Sequence, residues 1–517
     1  MPILVIDGRS VTVPPGTTIL EAARSAGIEI PTLCFLEGLG GGTSCMLCVV
    51  KVSGVRDLVP ACAAKVADGM EVLTSDPQIH QARRTALELL LSDHVGDCMA
   101  PCQLACPAHM VIPAMIRAIA QADLAGAIRV VKSTIAMPAV ASRLCNAPCQ
   151  KACRRGRLDE PVAICLLKRL VAELDLHAPS PFAPTPEAPR SARVAVVGAG
   201  PAGLACAYYL AWAGISVTVF DDRSEPGGTL RDVGEKFLPR GLLDAEIRTI
   251  LDTGLQMQMG IRVGKDIPLR TLRSQFNAVV LAIGATAGQQ ASQLGLSAGA
   301  DGLSVDSQTY QTDLPGVFAA GDAVRPRRMV SRALAEGRAI AHCVRQYVQG
   351  MPIQGIRMPF NSHIGQVDRG VLDQMILLAS KDRQVRPVEE QVGFSLAEGR
   401  QEAARCLHCD CRKAQSCGLR RLADLYQARQ SRFKGSRRAF ALVLDHPDLI
   451  YEPGKCISCG ICVRLTRLYQ ERYGLTFIGR GFQMGLGVPF GKGLAEGIER
   501  CAAHCVRACP TGALAWR

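Results

Sequence analysis

Aromatic side chains are scarce, at 4% of 517 residues with two Trp, and the Lys and Arg are scattered without a run of five. A nucleic-acid binder needs a basic stripe with aromatic platforms, so that class is excluded despite a formal charge of +13. The opening Met1-Pro2-Ile3-Leu4-Val5-Ile6-Asp7 lacks the basic and long apolar regions of a secretory signal. A disulfide framework then has no export route to support it, and a cytoplasmic location is expected. Long apolar helices are missing too. The longest uncharged stretch, residues 194–220, is broken by Gly198, Gly200, Pro201 and Gly203 and has β-branched ends, so it reads as strand, turn, helix and strand rather than a membrane span. Disorder is excluded by 48% hydrophobic against 20% charged residues. At about 100–200 residues per domain the length implies about three to five units.

What is abundant is cysteine, 23 in all, and in a reducing compartment clustered cysteines mean metal. They fall in blocks at 34–62, 98–165, 406–417 and 456–509, while only Cys206 and Cys343 lie between Cys165 and Cys406. Pro179, Pro181, Pro184, Pro186 and Pro189 mark a linker over 178–191. The expected layout is 1–78, a β-grasp [2Fe–2S] domain; 79–177, a helical [4Fe–4S] domain; 192–350, a Rossmann-type FAD domain; 351–400, a connector; 401–425, a Cys-rich [4Fe–4S] segment; and 445–517, a ferredoxin-like domain. The fold class is multidomain α/β and α+β.

In the first block, Ile3 to Ile6 and Ser10 to Val13 read as two strands about an Asp7-Gly8 turn, and Thr18 with Glu21 offers a capping box for a helix through about Ser25. Cys34, Cys45, Cys48 and Cys62 follow, and the glycines of Gly38 to Gly42 let backbone amides approach sulfur. Four thiolates suit a [2Fe–2S] cluster or tetrahedral zinc. Pro31-Thr32-Leu33-Cys34, Ser44-Cys45-Met46-Leu47-Cys48 and Pro60-Ala61-Cys62 resemble the [2Fe–2S] domain opening the large iron–sulfur subunit of NADH–quinone oxidoreductases and related formate dehydrogenases and hydrogenases. That resemblance implies iron–sulfur.

The second block holds His94, Cys98, Cys102, Cys106, Cys145, Cys149, Cys153 and Cys165, eight candidate ligands and the number two [4Fe–4S] clusters need. His94 reads equally as a surface histidine at a helix end. Residues 112–131 carry apolar residues at helical spacing. The runs from Cys98 to Pro107, Arg143 to Cys149 and Ala152 to Gly156 resemble the N-terminal domain of the glutamate synthase small subunit and dihydropyrimidine dehydrogenase. That resemblance implies one cluster on Cys98, Cys102 and Cys153 and another on Cys106, Cys145 and Cys149, with His94 and Cys165 as proposed fourth ligands.

In the middle block, the strand Val194-Ala195-Val196-Val197 leads into Gly198-Ala199-Gly200-Pro201-Ala202-Gly203, and the next strand, from Val217, ends at Asp221. The glycines allow a helix N-terminus to meet a pyrophosphate, and Asp221 is placed for a ribose hydroxyl. Pro226-Gly227-Gly228, Ala282-Ile283-Gly284-Ala285 and Leu314 to Gly321-Asp322 resemble the two-dinucleotide flavoproteins. The resemblance implies FAD, with Gly228, Gly321 and Asp322 at the flavin and a helix from near Ser331 pointing at it. Those proteins insert an NAD(P)H domain where this chain has only residues 286–313, and no second GxGxxG exists. The expectation is a flavin that exchanges electrons with clusters rather than with NAD(P)H.

Near the C-terminus, Cys406, Cys409, Cys411 and Cys417 suit one cubane or one zinc. Cys456, Cys459 and Cys462 with Cys509-Pro510 satisfy the ferredoxin rule for one cluster; the reciprocal positions are Thr466, Glu499 and Ala502, leaving Cys501 and Cys505 unassigned. Residues 474–482 resemble the segment between these halves in NADH–quinone oxidoreductase large subunits and NAD-linked formate dehydrogenases.

No catalytic triad or mononuclear site emerges. The reading is an electron-relay subunit of a soluble oxidoreductase with FAD, one [2Fe–2S] and about four [4Fe–4S] clusters. Its expected partners are a formate dehydrogenase, a hydrogenase or an NADH-oxidising flavin subunit. The alternatives are a glutamate-synthase-type NAD(P)H oxidoreductase and a zinc-rich scaffold. At about −2 per oxidised four-thiolate cluster, five clusters with FAD bring roughly −12, so the basic excess compensates buried anionic cofactors.

Overall fold

Residues 1–326, 329–389, 392–433 and 435–517 are described by the computed structural model. The chain divides into two units. The first consists of Met1–Ala100, Pro359–Leu378 and His408–Arg517, the second of Pro101–Met358 and Ala379–Leu407. Among the described residues no helix is long and apolar enough to cross a membrane.

In the first unit, Ile3–Ile6 and Arg9–Thr12 pair antiparallel around Asp7-Gly8. Ile3–Ile6 also pairs in parallel with Met70–Leu73, inside a five-stranded sheet completed by Val49–Val52 and Val59–Pro60. Alternation sends Leu4 and Ile6 into a core with Ile19, Leu20, Val50 and Val72. Burying each such side chain contributes about 1.5–3 kcal/mol. The helix Ile19–Ser25 carries the expected capping box, with Thr18 and Glu21 satisfying each other's backbone N–H groups. Later in this unit Leu449–Tyr451 pairs antiparallel with Leu514–Trp516, and the helices Ile461–Leu468 and Ala502–Ala508 share a core with that pair.

The second unit opens with helices. The apolar pattern over 112–131 forms two of them, Ile112–Ala120 and Leu124–Lys132, because Ala122 takes φ +59° and the Asp123 side chain caps the second through the Gly126 N–H. A wholly parallel sheet follows, in the order Gln256–Met259, Ser216–Asp221, Arg193–Val197, Ala278–Leu281, Val317–Ala319. Strand order reverses direction beside Arg193–Val197, which opens a crevice at the carboxyl ends of the strands. The Pro-rich stretch 178–191 is neither helix nor strand, but it is anchored: Glu187 N–H bonds Trp212 O and Arg190 N–H bonds Gly214 O. Among the described residues between Leu281 and Val317, Ala287–Leu294 is the one helix and no strand joins the sheet.

Candidate functional site

The crevice is built from close backbone approaches that only glycine permits. A Cβ on Gly198, whose φ is +110°, would sit 2.3 Å from Ala282 O, and one on Gly203 would sit 1.8 Å from Gly198 O. The turn therefore presses directly on the helix Pro201–Trp212. Gly200 faces open space, while a Cβ on Gly228 would lie 2.8 Å from Gly200 Cα and one on Gly321 2.9 Å from Ala202 Cβ. The resulting cavity of about 870 Å³ is lined by Gly198, Gly200, Asp221, Gly228 and Asp322. Gly321 shapes it from behind. Asp221 is held by backbone N–H groups, accepting from Ala199 at 2.5 Å and Arg223 at 2.8 Å. Each carboxylate oxygen keeps a lone pair for a ligand. A glycine-walled cleft at a helix N-terminus and topological switch point fits a dinucleotide cofactor.

The cavity is also lined by Met329 and Val330, at the start of the helix expected near Ser331, and by Leu144, which sequence reasoning missed. Their neighbours meet: the Cys145 thiol lies 3.7 Å from the Ser331 hydroxyl oxygen, at the start of the helix Val330–Val348. Cys165 in turn contacts both Cys145 and Cys149, and the Cys165 thiol together with burial pushes Cys145 well above the usual thiol range. Cys106, Cys149 and Cys406 belong to one apolar core against which Cys102 and Cys153 pack. Two fully buried arginines stand beside this group. Arg155 pairs with Asp159, and Arg405 pairs with Glu402 at 2.8 Å.

In the first unit Cys34, Cys45, Cys48 and Cys62 are all buried. A Cβ on Gly41 would lie 2.5 Å from the Cys62 sulfur, so the loop reaches sulfur only because it carries no side chain there. The neighbouring Cys45 thiol, with the N–H groups of Cys45 and Gly42, holds Cys34 far below the usual thiol range, whereas burial pushes Cys48 up to about 12.

Around Cys98 the structure brings in cysteines that the sequence grouping placed in a different set, Cys411 and Cys417. The Cys98 carbonyl accepts the Cys411 N–H at 3.3 Å. Cys98, Cys411 and Cys417 lie close enough to interact electrostatically. Backbone N–H groups point at their sulfurs, from Ser362 to Cys98 and from Arg420 to Cys417, each at 3.4 Å. His94 precedes Cys98 by four residues, and its Nδ1 is sealed from solvent with no hydrogen-bond partner. Burial, then Lys455 and Arg437, push its pKa down to about 3, so the imidazole is neutral, the form that ligates metal. His94 is a buried side chain, not the surface histidine of the competing reading.

Cys456, Cys459, Cys462 and Cys509 line one small cavity with Tyr451, Phe477 and Leu486. Burial pushes Cys459 up to about 12. Cys501 and Cys505 form a separate, fully buried pair with sulfurs 3.6 Å apart. Among the described residues no three His, Cys, Asp or Glu close on a single-ion site. Arg464, which sequence reasoning did not single out, stands on the helix that carries Cys462. Its guanidinium donates to Cys34 O at 2.8 Å, Gly40 O at 2.9 Å and Leu39 O at 3.2 Å. A Cβ on Gly42 would meet Cys459 O at 3.2 Å, so the two cysteine loops touch.

Comparison with known proteins bears on these sites. Residues 3–77 match the family described as a 2Fe-2S iron-sulfur cluster binding domain, residues 73–179 a dihydropyrimidine dehydrogenase domain II with a 4Fe-4S cluster, and residues 182–337 pyridine nucleotide-disulphide oxidoreductase. The chain is 41% identical over 191 residues to the NADPH-Fe(3+) oxidoreductase subunit beta of Geobacter sulfurreducens, covering 36% of this chain and 28% of that protein. It is 34% identical over 240 residues to the NADP(+)-dependent formate dehydrogenase subunit beta of Moorella thermoacetica, covering 42% and 32%. It is 50% identical over 101 residues to an NADP-reducing hydrogenase subunit of Solidesulfovibrio fructosivorans, covering 19% and 17%. The matches therefore span about a third or less of these relatives. At residues 3–77 the match decides between iron–sulfur and zinc in favour of [2Fe–2S]. The chain is an iron–sulfur flavoprotein with oxidoreductase domains, whose cofactors are a [2Fe–2S] cluster, [4Fe–4S] clusters and FAD.

Proposed function

We propose that this chain is the electron-relay subunit of a larger cytoplasmic oxidoreductase, taking electrons between its flavin and a string of cysteine-held centres. The observation that carries the reading is the wall shared by the flavin crevice and a cysteine group: Leu144 and Val330 line the crevice, and the next residues, Cys145 and Ser331, lie 3.7 Å apart. Bound FAD exchanges electrons singly or in pairs and an iron–sulfur cluster singly, so the protein's task is position and potential.

We assign three ligand sets in the first unit: Cys34, Cys45, Cys48 and Cys62 for [2Fe–2S]; Cys456, Cys459, Cys462 and Cys509 for one [4Fe–4S]; and Cys98, Cys411 and Cys417 for another, with His94, orphaned and neutral four residues before Cys98, as its fourth ligand. In the second unit Cys102, Cys106, Cys145, Cys149, Cys153 and Cys165 hold the remaining clusters, with Cys165 serving the Cys145 and Cys149 centre. Cys406 and Cys409 keep the ligand role their spacing gives them. With one dinucleotide fold in its sequence, the chain receives or passes electrons through partners of the formate dehydrogenase or hydrogenase kind, to which its relatives belong by name.

Anaerobically purified protein tests this directly. Iron, sulfide and flavin should be present together, and photoreduction of FAD should be followed by reduction of a [4Fe–4S] centre. Near-zero iron with stoichiometric zinc would refute the cluster assignment. Rapid flavin bleaching by NAD(P)H alone would favour the glutamate-synthase-type reading instead.

A further inference from the structure

Tyr451 sits where a side chain can act on the centre held by Cys456, Cys459, Cys462 and Cys509. Its strand is fixed on both edges. On one, Tyr451 stands opposite Leu514 in the antiparallel pair with Leu514–Trp516. On the other, it exchanges two backbone hydrogen bonds with Val443, at 2.9 and 3.1 Å. With the backbone held, strand alternation sends the ring into the cavity the four cysteines line.

Tyr451 is 4% exposed, and its hydroxyl is sealed from water with no hydrogen-bond partner, sulfur included. What it faces is the Cys456 sulfur, with the Leu486 N–H on its other side. A buried hydroxyl without an acceptor is costly, and the cysteine sulfurs lining the same cavity are the acceptors it can turn to. The other donors toward these sulfurs include backbone N–H groups, from Ser458 to Cys456, from Ile461 to Cys459 and from Val463 to Cys462. The Thr511 hydroxyl lies 3.7 Å from the Cys509 sulfur but donates to Lys455 O at 2.9 Å.

We propose that the Tyr451 hydroxyl donates a hydrogen bond to the Cys456 sulfur and thereby raises the reduction potential of this centre. The inference rests on the ligand set proposed above. A hydrogen bond to a cluster ligand withdraws electron density from it and stabilises the more negative, reduced state, so removing it makes the centre harder to reduce. Tyr451 is a tuning residue, and a raised potential would make its centre the favoured acceptor for electrons crossing from the adjoining Cys34 loop.

The experiment is Tyr451→Phe in the full-length holoprotein, with iron counted, each centre titrated under electron paramagnetic resonance, and proton couplings of the reduced centre measured in water and D2O. The expected result is unchanged iron, a more negative midpoint for one [4Fe–4S] centre alone, and loss of one exchangeable proton coupling. An unmoved midpoint with all couplings retained overturns the proposal. On unmodified protein grown with ring-deuterated tyrosine, deuteron couplings should appear at the same centre; their absence overturns it even where the variant loses its cluster. Identification of the centre comes from Cys459→Ala. If that variant keeps every cluster signal, the ligand set itself fails, which is a different result from an unmoved midpoint.

Discussion

Replacing Gly203 by Ala tests the flavin crevice at its tightest point. The added methyl carbon would stand 1.8 Å from Gly198 O, against a carbon–oxygen contact distance of about 3.3 Å. Both groups belong to backbone, so no side chain can swing away, and the turn and helix must part by about 1.5 Å. Misplacement of about 1 Å can cost about 100-fold where geometry is pre-set, and overpacking itself costs about 1–3 kcal/mol. Gly203→Ala should therefore be isolated with little or no FAD while keeping its iron, since the cysteine ligands lie on other segments. Gly200→Ala separates sterics of the protein from sterics of the ligand. Its backbone is extended (φ −79°, ψ −178°) and nothing lies within 4 Å, so the fold is untouched while the methyl enters the cavity. It should fold normally and bind FAD weakly. Gly241→Ala, also in open space but away from the cavity lining, should bind FAD as the wild type does. The assay is flavin absorbance per polypeptide, with titration of FAD into deflavinated protein and iron measured in parallel. Wild-type FAD affinity in Gly203→Ala would refute the claim that this turn cradles the cofactor.

Three further outcomes are expected. Cys98→Ala and Cys411→Ala should erase the same [4Fe–4S] resonance, and Cys406→Ala should leave it; separate losses for Cys98 and Cys411 would dissolve the regrouping. Arg464→Gln removes the fork that binds Cys34 O, Leu39 O and Gly40 O. It should keep cluster content but weaken the magnetic interaction between the [2Fe–2S] centre and its neighbour, and undiminished spin–spin broadening would count against a clamping role. Glu246 is buried and accepts from the Ala139 and Val140 N–H groups at 2.7 and 2.8 Å, with burial raising its pKa from 4.5 to about 7. The folded state then holds the proton more tightly than the unfolded chain. Its stabilising contribution is complete below about 4.5 and is lost as pH rises through about 7, a change of about 3 kcal/mol. Urea unfolding at pH 5 and 8 should show the wild type losing stability relative to Glu246→Gln, and parallel behaviour of the two would contradict this.

The parts legible in the sequence are those that local chemistry decides. Thr18 and Glu21 stand three residues apart and close a capping box without help from elsewhere. Gly198, Gly200 and Gly203 read correctly as a turn because the strand before them and the helix after them are written in the same short stretch. The helix over 112–131 was legible in period but not in continuity, since the break depends on a left-handed Ala122 and the Asp123 cap. Arg464 carried no signal at all, because an arginine on an amphipathic helix looks solvated until the loop it binds is in place.

The sequence by itself determined the inventory: how many thiols there are, which turns need glycine, and where a dinucleotide crevice begins, because each rests on residues a few positions apart. Only the tertiary structure decided the partnerships. Cys98 meets Cys411 and Cys417 because residues 408–517 return to the first unit after the whole second unit has intervened. Cys145 meets Ser331 because a helix beyond the last strand packs back over the sheet. Ligand spacing constrains only thiols that share a loop. For thiols hundreds of residues apart, closing the chain costs entropy that grows slowly with length, so the apolar packing of each unit selects which of them meet.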